Sequence, residues 1–536
     1  MKNIKLLDCT LRDGGYVNDW NFGHSVITGT YKRLDAAGVD YIEVGFLDDR
    51  REFDINRSIT PNTEGFNRIF DGVKKKHAIS VAMIDYGTCD IDNIQNCEDT
   101  FIDGIRIIFK KEKISDALPF CQKIKEKGYK LFIQAISITS YSDKEMLDYL
   151  EKINEIEPYA FSIVDTYGLL DDRKLQSYFY LIDNNLLPSI RIGYHAHNNF
   201  QLAFSNSIKF LATETNRCIV VDSTVYGMGK SAGNTASELI AMHMNDWYGT
   251  HYDIDQFLEI LDTDLMAIYQ KHFWGYKYIF YISARQKCHP DFVQHLLDKK
   301  TLSVTSVNEI LSRIPQDNKL YYNEELIEKL YIEYQSHAID DKRIIEKLAL
   351  ELGRKKVLLL GPGRSIESKS EKIRQFIKDE TPVVIVVNID STLFSIDYIF
   401  ISNAKRYGKL ADTIVGDYQA GNKLIATSNI TLFDRPADYV LNYSELMDMN
   451  QVKSDNALLL SIACLIRCGI TDVYLAGFDG FTVDADDYFD SKYVFAGNDG
   501  YNVATNENIM AGLQTLSDKV SIHFLTDSLY EKAIVK

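Results

Sequence analysis

Residues 6–16 read LLDCTLRDGGY. An apolar run ends in a cation and a carboxylate, Arg12 and Asp13, and two glycines follow. A buried strand that stops at paired charges, with backbone freed to turn, has the pattern of a strand feeding an active-site mouth. The pattern recurs outward from this stretch to about residue 245. IKLLDCT, YIEVGF, AISVAMI, GIRIIF, KLFIQAI, AFSIVDT, RIGYHAH and CIVVDSTV are short and almost continuously apolar, as strands covered on both faces must be. Amphipathic segments such as DKEMLDYLEKINEIEP separate them. Such alternation predicts a parallel sheet. About eight units is the number that closes a TIM (β/α)8 barrel; a doubly wound open sheet is the alternative.

At 536 residues the chain is too long for one core. It reads as a barrel over 1–250, a helical extension packed on it over 251–350, and a Rossmann-like doubly wound α/β domain over 351–536. The net charge of −17 argues against nucleic acid and anionic membrane as partners, since both need a positive surface. The eight cysteines form no CxxC pair and read as reduced thiols. The first residues lack the apolar run of a signal peptide, and the later apolar runs are strand-sized. A cytoplasmic protein without a membrane span is the expectation.

The chemistry-bearing residues fall at strand ends, where a barrel places its active site. His195 and His197, in YHAHNN, are two apart and face one side of a strand. With Asp13 on another strand end of the same rim, they offer two nitrogens and a carboxylate to one divalent ion. Open positions and mixed donors suit Mn2+ or Mg2+, with Zn2+ or Co2+ as alternatives. Such an ion polarises the carbonyl of a 2-oxo acid. Lys110 and Gln134 end or follow neighbouring strands and are candidate substrate contacts.

DCTLRDGGY, IEVGF, VDTYG, YHAHNNFQLAFSNS and YGMGKSAGN, in this order, resemble the DRE-TIM metallolyases. That superfamily includes 4-hydroxy-2-oxovalerate aldolase, whose pattern is the nearest. It also includes 3-hydroxy-3-methylglutaryl-CoA lyase, the isopropylmalate and homocitrate synthases and the pyruvate carboxyltransferases. The resemblance covers roughly the first 245 residues. It implies that Asp13, His195 and His197 bind metal and that Asn234 lies at or beside it. It further implies that Arg12 stabilises an enolate oxygen, that Glu43 holds that arginine or a metal-bound water, and that Thr166 receives the carboxylate of a 2-oxo acid. Asp165, Asn198 and Asn206 then support the site. One departure matters: aldolases of this type carry a histidine base three residues after the metal aspartate, and Tyr16 stands there instead. A phenol, with an ordinary pKa near 10, is a poor base but a good donor. Lys110, Tyr226, His24 and Tyr276 are the other candidates for moving the proton.

The implied activity is a metal-dependent carbon–carbon lyase or aldolase joining a 2-oxo acid and an aldehyde, in a protein expected to form a homo-oligomer, a dimer first. An acyl-CoA Claisen enzyme of the same superfamily is the alternative. In the last third, LLLGPGRSIES is a strand, a Gly-rich turn and a helix start, a backbone suited to a phosphate. Gly361, Gly363 and Ser365, with Asn388 and Asn403 at the next strand ends, are the candidate nucleotide or nucleotide-sugar site. The segment loosely resembles the nucleotide-binding side of bacterial sialyltransferase-like domains, a likeness at fold level. It suggests a transferase or binding module of surface-carbohydrate synthesis.

Overall fold

The computed structural model describes residues 2–534 except 300, 336–338, 391–392, 420, 431, 433–435, 450–454, 483–487 and 491–501. The chain divides into two compact units, residues 1–290 and 291–536. The helices of 251–350 fall on both sides of that division.

In the first unit the apolar runs become β1 (Ile4–Asp8), β2 (Tyr41–Leu47), the short β3 (Ile59–Thr60), β4 (Ile79–Asp85), β5 (Gly104–Ile108), β6 (Lys130–Ala135), β7 (Ala160–Asp165), β8 (Arg191–Ala196) and β9 (Ile219–Ser223). All pair in parallel, in the order β1-β9-β8-β7-β6-β5-β4-β2-β3. Pairing of Leu7 with Tyr41 joins β1 to β2 and closes an eight-stranded barrel, with β3 as an outlier on β2. Helices alternate with the strands and bury their apolar stripes outside them. One example is Asp143–Ile156, whose buried Met146, Tyr149, Leu150 and Ile153 recur at helical spacing. Its start is fixed by a capping box, Ser142 with Glu145.

The second unit opens with helices and then forms a seven-stranded parallel sheet. Its strands are β10 (Val357–Leu360), β11 (Val383–Val387), β12 (Tyr398–Ile401), β13 (Lys423–Thr427), β14 (Tyr439–Leu441), β15 (Asp472–Ala476) and β16 (Ser521–Phe524). The order β14-β13-β12-β11-β10-β15-β16 reverses direction at β10. This open sheet is Rossmann-like, and its crevice lies between the ends of β10 and β15. Apolar clusters cover both faces, one around Leu459 and Leu475, the other around Leu358 and Ile399. Among the described residues no helix is long and apolar enough to cross a membrane, and the eight cysteines form no disulfide.

Candidate metal centre at the barrel mouth

The chain does not leave β1 as an extended strand. Thr10–Asp13 forms one helical turn and Gly15–Asn18 another, so Arg12 and Asp13 are presented from a helical turn. The glycines between them are helical too, Gly14 having φ −58° and ψ −28°. They are there for space rather than for a left-handed turn. A Cβ on Gly15 would sit 2.0 Å from the Trp20 ring, and the Trp20 indole N–H donates to Arg12 O at 2.9 Å.

His195 lies in β8 and His197 one residue beyond its end. The loop after β9 returns to pair with it, making an isolated antiparallel bridge from His197 to Asn234. Asp13, His195 and His197 thus offer ligand atoms within 4.8 Å of one another, all buried. His195 Nε2 is 3.3 Å from Asp13 Oδ2. His197 Nδ1 lies 3.0 Å from the Asp165 carbonyl, which leaves Nε2 as the nitrogen available to a metal. That Nε2 and Asn234 Oδ1 are buried and without a partner among the described residues. Gly229 fixes Asn234 beside Asp13: a Cβ there would lie 2.2 Å from Asn234 Nδ2 and 2.7 Å from Asp13 Oδ1. Buried orphan acceptors cost stability unless something completes them. Two imidazole nitrogens, a carboxylate and an amide oxygen, aimed at one point, fit a divalent cation.

Around this group runs a buried chain of charge. Arg12 donates from Nη1 to Asp13 at 2.5 Å and from Nε to Glu43 Oε2 at 2.7 Å. Arg106 donates from Nη1 to the same Glu43 oxygen at 2.9 Å, from Nη2 to Gln134 Oε1 at 2.9 Å, and also to Asp222. Asp222 Oδ2 in turn lies 3.0 Å from His195 Nδ1. A register shift between Glu43 and Gly45 in β2 marks the point where Glu43 enters the barrel. Burial opposes Asp13 ionisation, but Arg12 and the two histidines outweigh it and hold the carboxyl well below its usual range. Burial lowers the His197 pKa to about 3, keeping the ring neutral as a ligand must be. For His195, burial is outweighed by Asp13 and Asp222, and the pKa rises.

Arg106 and Asp222 escape a reading of the sequence. The available signal is a charge inside a strand that is otherwise apolar, GIRIIF and CIVVDSTV. Such a residue is almost never fully buried unless paired.

The other expected residues separate by position. Gln134 is buried on Arg106, with its Nε2 unpartnered among the described residues. Thr166 Oγ1 accepts from Ser137 N–H at 2.7 Å, so its hydroxyl proton stays available to an acceptor. Asp165 accepts from Leu169 and Leu170 N–H, and burial lifts its pKa to about 6. Asn198 and Asn206 are used in local hydrogen bonds, to Ala203 N–H and to Leu170 O. Lys110 is exposed on the rim after β5. Tyr16 remains 39% exposed, with its ring edge-on to Trp20 at 4.8 Å. The crowded mouth and the carboxylates of Asp13, Asp85 and Glu43 push its pKa up to about 12, so it stays a phenol. His24 Nε2 is engaged by Ile69 O at 2.8 Å. Tyr276 is half exposed, whereas its neighbour Trp274 is buried and donates to Tyr226 O at 3.0 Å in the loop after β9.

In the second unit Gly361, Gly363 and Ser365 do form the turn at the crevice, but its donors are taken. Asp479, after β15, accepts from the Ser365 backbone N–H at 2.7 Å and from the Ser365 hydroxyl. A Cβ on Gly363 would lie 2.6 Å from the Asp479 carboxyl carbon. The place expected for a phosphate holds the chain's own carboxylate. The side-chain oxygens of Asn388 and Asn403 accept from Ser402 and Arg406 N–H.

A closed parallel barrel with an Asp–His–His cluster at its C-terminal mouth defines a TIM-barrel protein with a candidate metal site. Residues 3–263 match the HMGL-like family. Over 263 residues the chain is 21% identical to an oxaloacetate decarboxylase of Mycobacterium tuberculosis, covering 49% of this chain and 76% of the relative. It is 27% identical over 266 residues to homocitrate synthase AksA of Methanocaldococcus jannaschii, covering 49% and 63%. It spans about half the length of the (R)-citramalate and 2-isopropylmalate synthases it matches. The crystal structure of an N-terminal domain from Bacteroides vulgatus aligns at 23% identity with a TM-score of 0.48, over 57% of this chain and 99% of that one.

Proposed function

We propose that the barrel is a divalent-metal-dependent aldolase or lyase that makes or breaks a carbon–carbon bond beside the carbonyl of a pyruvate-type 2-oxo acid, with an aldehyde as partner. The observation carrying this reading is the convergence of Asp13, His195 and His197, joined by Asn234, next to the buried guanidinium of Arg12. Manganese or magnesium suits the donor set best, with zinc and cobalt as alternatives. Once bound, the ion supplies Lewis-acid polarisation of the 2-oxo acid carbonyl.

The chain's own residues do the rest. Arg12, locked by Asp13 and Glu43, holds a fixed positive charge beside the mouth, where negative charge grows on the substrate oxygen. The Thr166 hydroxyl donates to the substrate carboxylate, with its oxygen fixed by Ser137 N–H. In the condensing direction the methyl carbon loses a proton to solvent and bonds to the aldehyde carbon. The aldehyde oxygen gains a proton, which Tyr16, a phenol at neutral pH, would give. Two of the matched relatives are 4-hydroxy-2-oxovalerate aldolases, 22% and 25% identical. The test is exchange of pyruvate methyl protons in deuterated water by the metal-loaded protein. No exchange above the metal-free control would defeat the reading. Tight calorimetric binding of acetyl-CoA would instead favour a Claisen enzyme.

For the second unit, the Rossmann-like crevice supports a nucleotide or nucleotide-sugar ligand only if Asp479 is displaced from Ser365 or itself binds a ligand hydroxyl. A cytoplasmic homodimer is the form we propose for the whole chain.

A further inference from the structure

The rim of the barrel carries a second charged group beside the candidate metal centre. Lys230 lies in the loop after β9; its backbone N–H donates to Asp13 Oδ1 at 2.9 Å, and its ammonium stands 5.4 Å from the centroid of the Tyr16 ring. Lys110 follows β5 and Asp85 ends β4, on adjacent strands that pair through Asp85 and Ile108. Arg50 follows β2 and is held at two points by Asp48, at 2.7 and 2.5 Å. The Asp85 carboxylate feels Lys110, Arg50 and Lys230 together, its ionisation opposed first by burial. Three loops therefore bring three cations, Lys230, Lys110 and Arg50, near two carboxylates, Asp85 and Asp48, the latter held by Arg50. Among the described residues no carboxylate pairs with the Lys230 ammonium. In a chain of net charge −17 this leaves a local excess of one positive charge at the mouth of a cleft, which favours an incoming anion.

The bland account is that Lys230 merely covers the Tyr16 ring. That accounts for the lysine but not for the gathering of Lys110 and Arg50 on the same rim. A second anionic group on the substrate accounts for Lys230 and Lys110 together, Arg50 being held by Asp48. The backbone of Lys230 is tied to a candidate metal ligand, so its side chain starts from a fixed point at the mouth.

We propose that the aldehyde partner carries its own anionic group, a carboxylate or a phosphate, and that Lys230, with Lys110 on the same mouth, receives it. This rests on the aldol reading above. The bond made is unchanged: the methyl carbon of the 2-oxo acid to the aldehyde carbon, one proton leaving the first and one joining the oxygen of the second.

The test uses the full metal-loaded chain with pyruvate and five aldehydes: neutral acetaldehyde and propionaldehyde, the carboxylates glyoxylate and succinic semialdehyde, and glycolaldehyde phosphate. Expected is a kcat/KM at least tenfold higher for one charged class than for the neutral pair, declining with added salt. The favoured class tells carboxylate from phosphate. Lys230→Met should reduce that charged-to-neutral ratio at least tenfold, and Lys230→Arg should restore most of it. Equal rates on neutral and charged aldehydes would overturn the proposal, as would an equal loss on both in Lys230→Met. Pyruvate proton exchange is measured in the same samples. Its absence would remove the aldol reading and this inference with it, whereas exchange without charge preference would remove this inference alone.

Discussion

His195 is gripped from both ring nitrogens: Nε2 lies 3.3 Å from Asp13 and Nδ1 lies 3.0 Å from Asp222. The same Asp222 oxygen accepts from Arg106, which reaches Glu43 and, through it, Arg12. One buried carboxylate thus orients a candidate metal ligand and anchors the far end of the network that holds the candidate enolate clamp.

Asp222→Asn should therefore weaken metal binding by about 10- to 100-fold, the usual cost of losing a partner behind a ligating histidine. It also leaves Arg106 short of a charge, and breaking a buried pair costs about 3–5 kcal/mol. A calorimetric metal titration and a thermal melt of the same variant read the two effects separately. Unchanged metal affinity would show that His195 needs no such support.

Asp13→Asn should abolish tight metal binding, because it removes the carboxylate among the converging donors and frees Arg12 from its 2.5 Å partner. The check is metal content after purification, by elemental analysis, against wild type. Equal content would move the metal elsewhere.

Tyr16→Phe should keep the metal and lower aldol turnover by about 10²–10⁴-fold, the scale of a lost general acid. With its pKa near 12, the phenol should contribute no pH limb of its own below about pH 9. Turnover equal to wild type would leave Tyr16 as a packing partner of Trp20.

In the second unit, buried Asp341 accepts from Arg467 at 2.7 and 2.6 Å and from Asn442 N–H at 2.7 Å. Burial alone would raise its pKa; Arg467 and the N–H outweigh that and lower it. A folded pKa below the unfolded value of about 3.9 adds stability above that pH. The contribution is lost as pH falls through the folded pKa. Arg467→Met should lower stability at pH 7, and its denaturation midpoint should then fall less steeply below about pH 4 than that of wild type. Parallel urea titrations between pH 7 and 3 measure both.

Asp479→Asn should loosen the closed turn at Ser365 and let an anion reach its donors. Thermal shift with inorganic phosphate or a nucleotide should then exceed that of wild type. No gain with either would show that the turn is sealed by more than this carboxylate.

Much of the barrel was legible because its signal is local. Each buried parallel strand is a continuous apolar run, so IKLLDCT and its seven counterparts fall on the observed strands to within a residue or two. The candidate ligand set was legible because His195 and His197 share a strand-end motif and Asp13 sits in another, and the structure brings the three together. β14 escaped because three residues, Tyr439–Leu441, are too few to show a pattern. The helical turn Thr10–Asp13 escaped because Arg12 and Asp13 read equally well as the end of a strand. Arg106, Asp222 and Asp479 escaped for a different reason. Each is defined by a partner dozens to more than a hundred residues away, and pairing across a barrel or sheet leaves no trace in local spacing.

The crowding at Gly15 and Gly229 also bears on how this mouth can diversify. Neither position has room for a methyl group: one is closed by Trp20, the other by Asn234 and Asp13. Any side chain at these two positions would have to displace Trp20, or Asn234 and Asp13, from beside the candidate ligand set. Tyr16 and Lys230, each next to one of these crowded points and stacked on one another at the mouth, are left as the adjustable pair through which the barrel could be tuned to a new reaction partner.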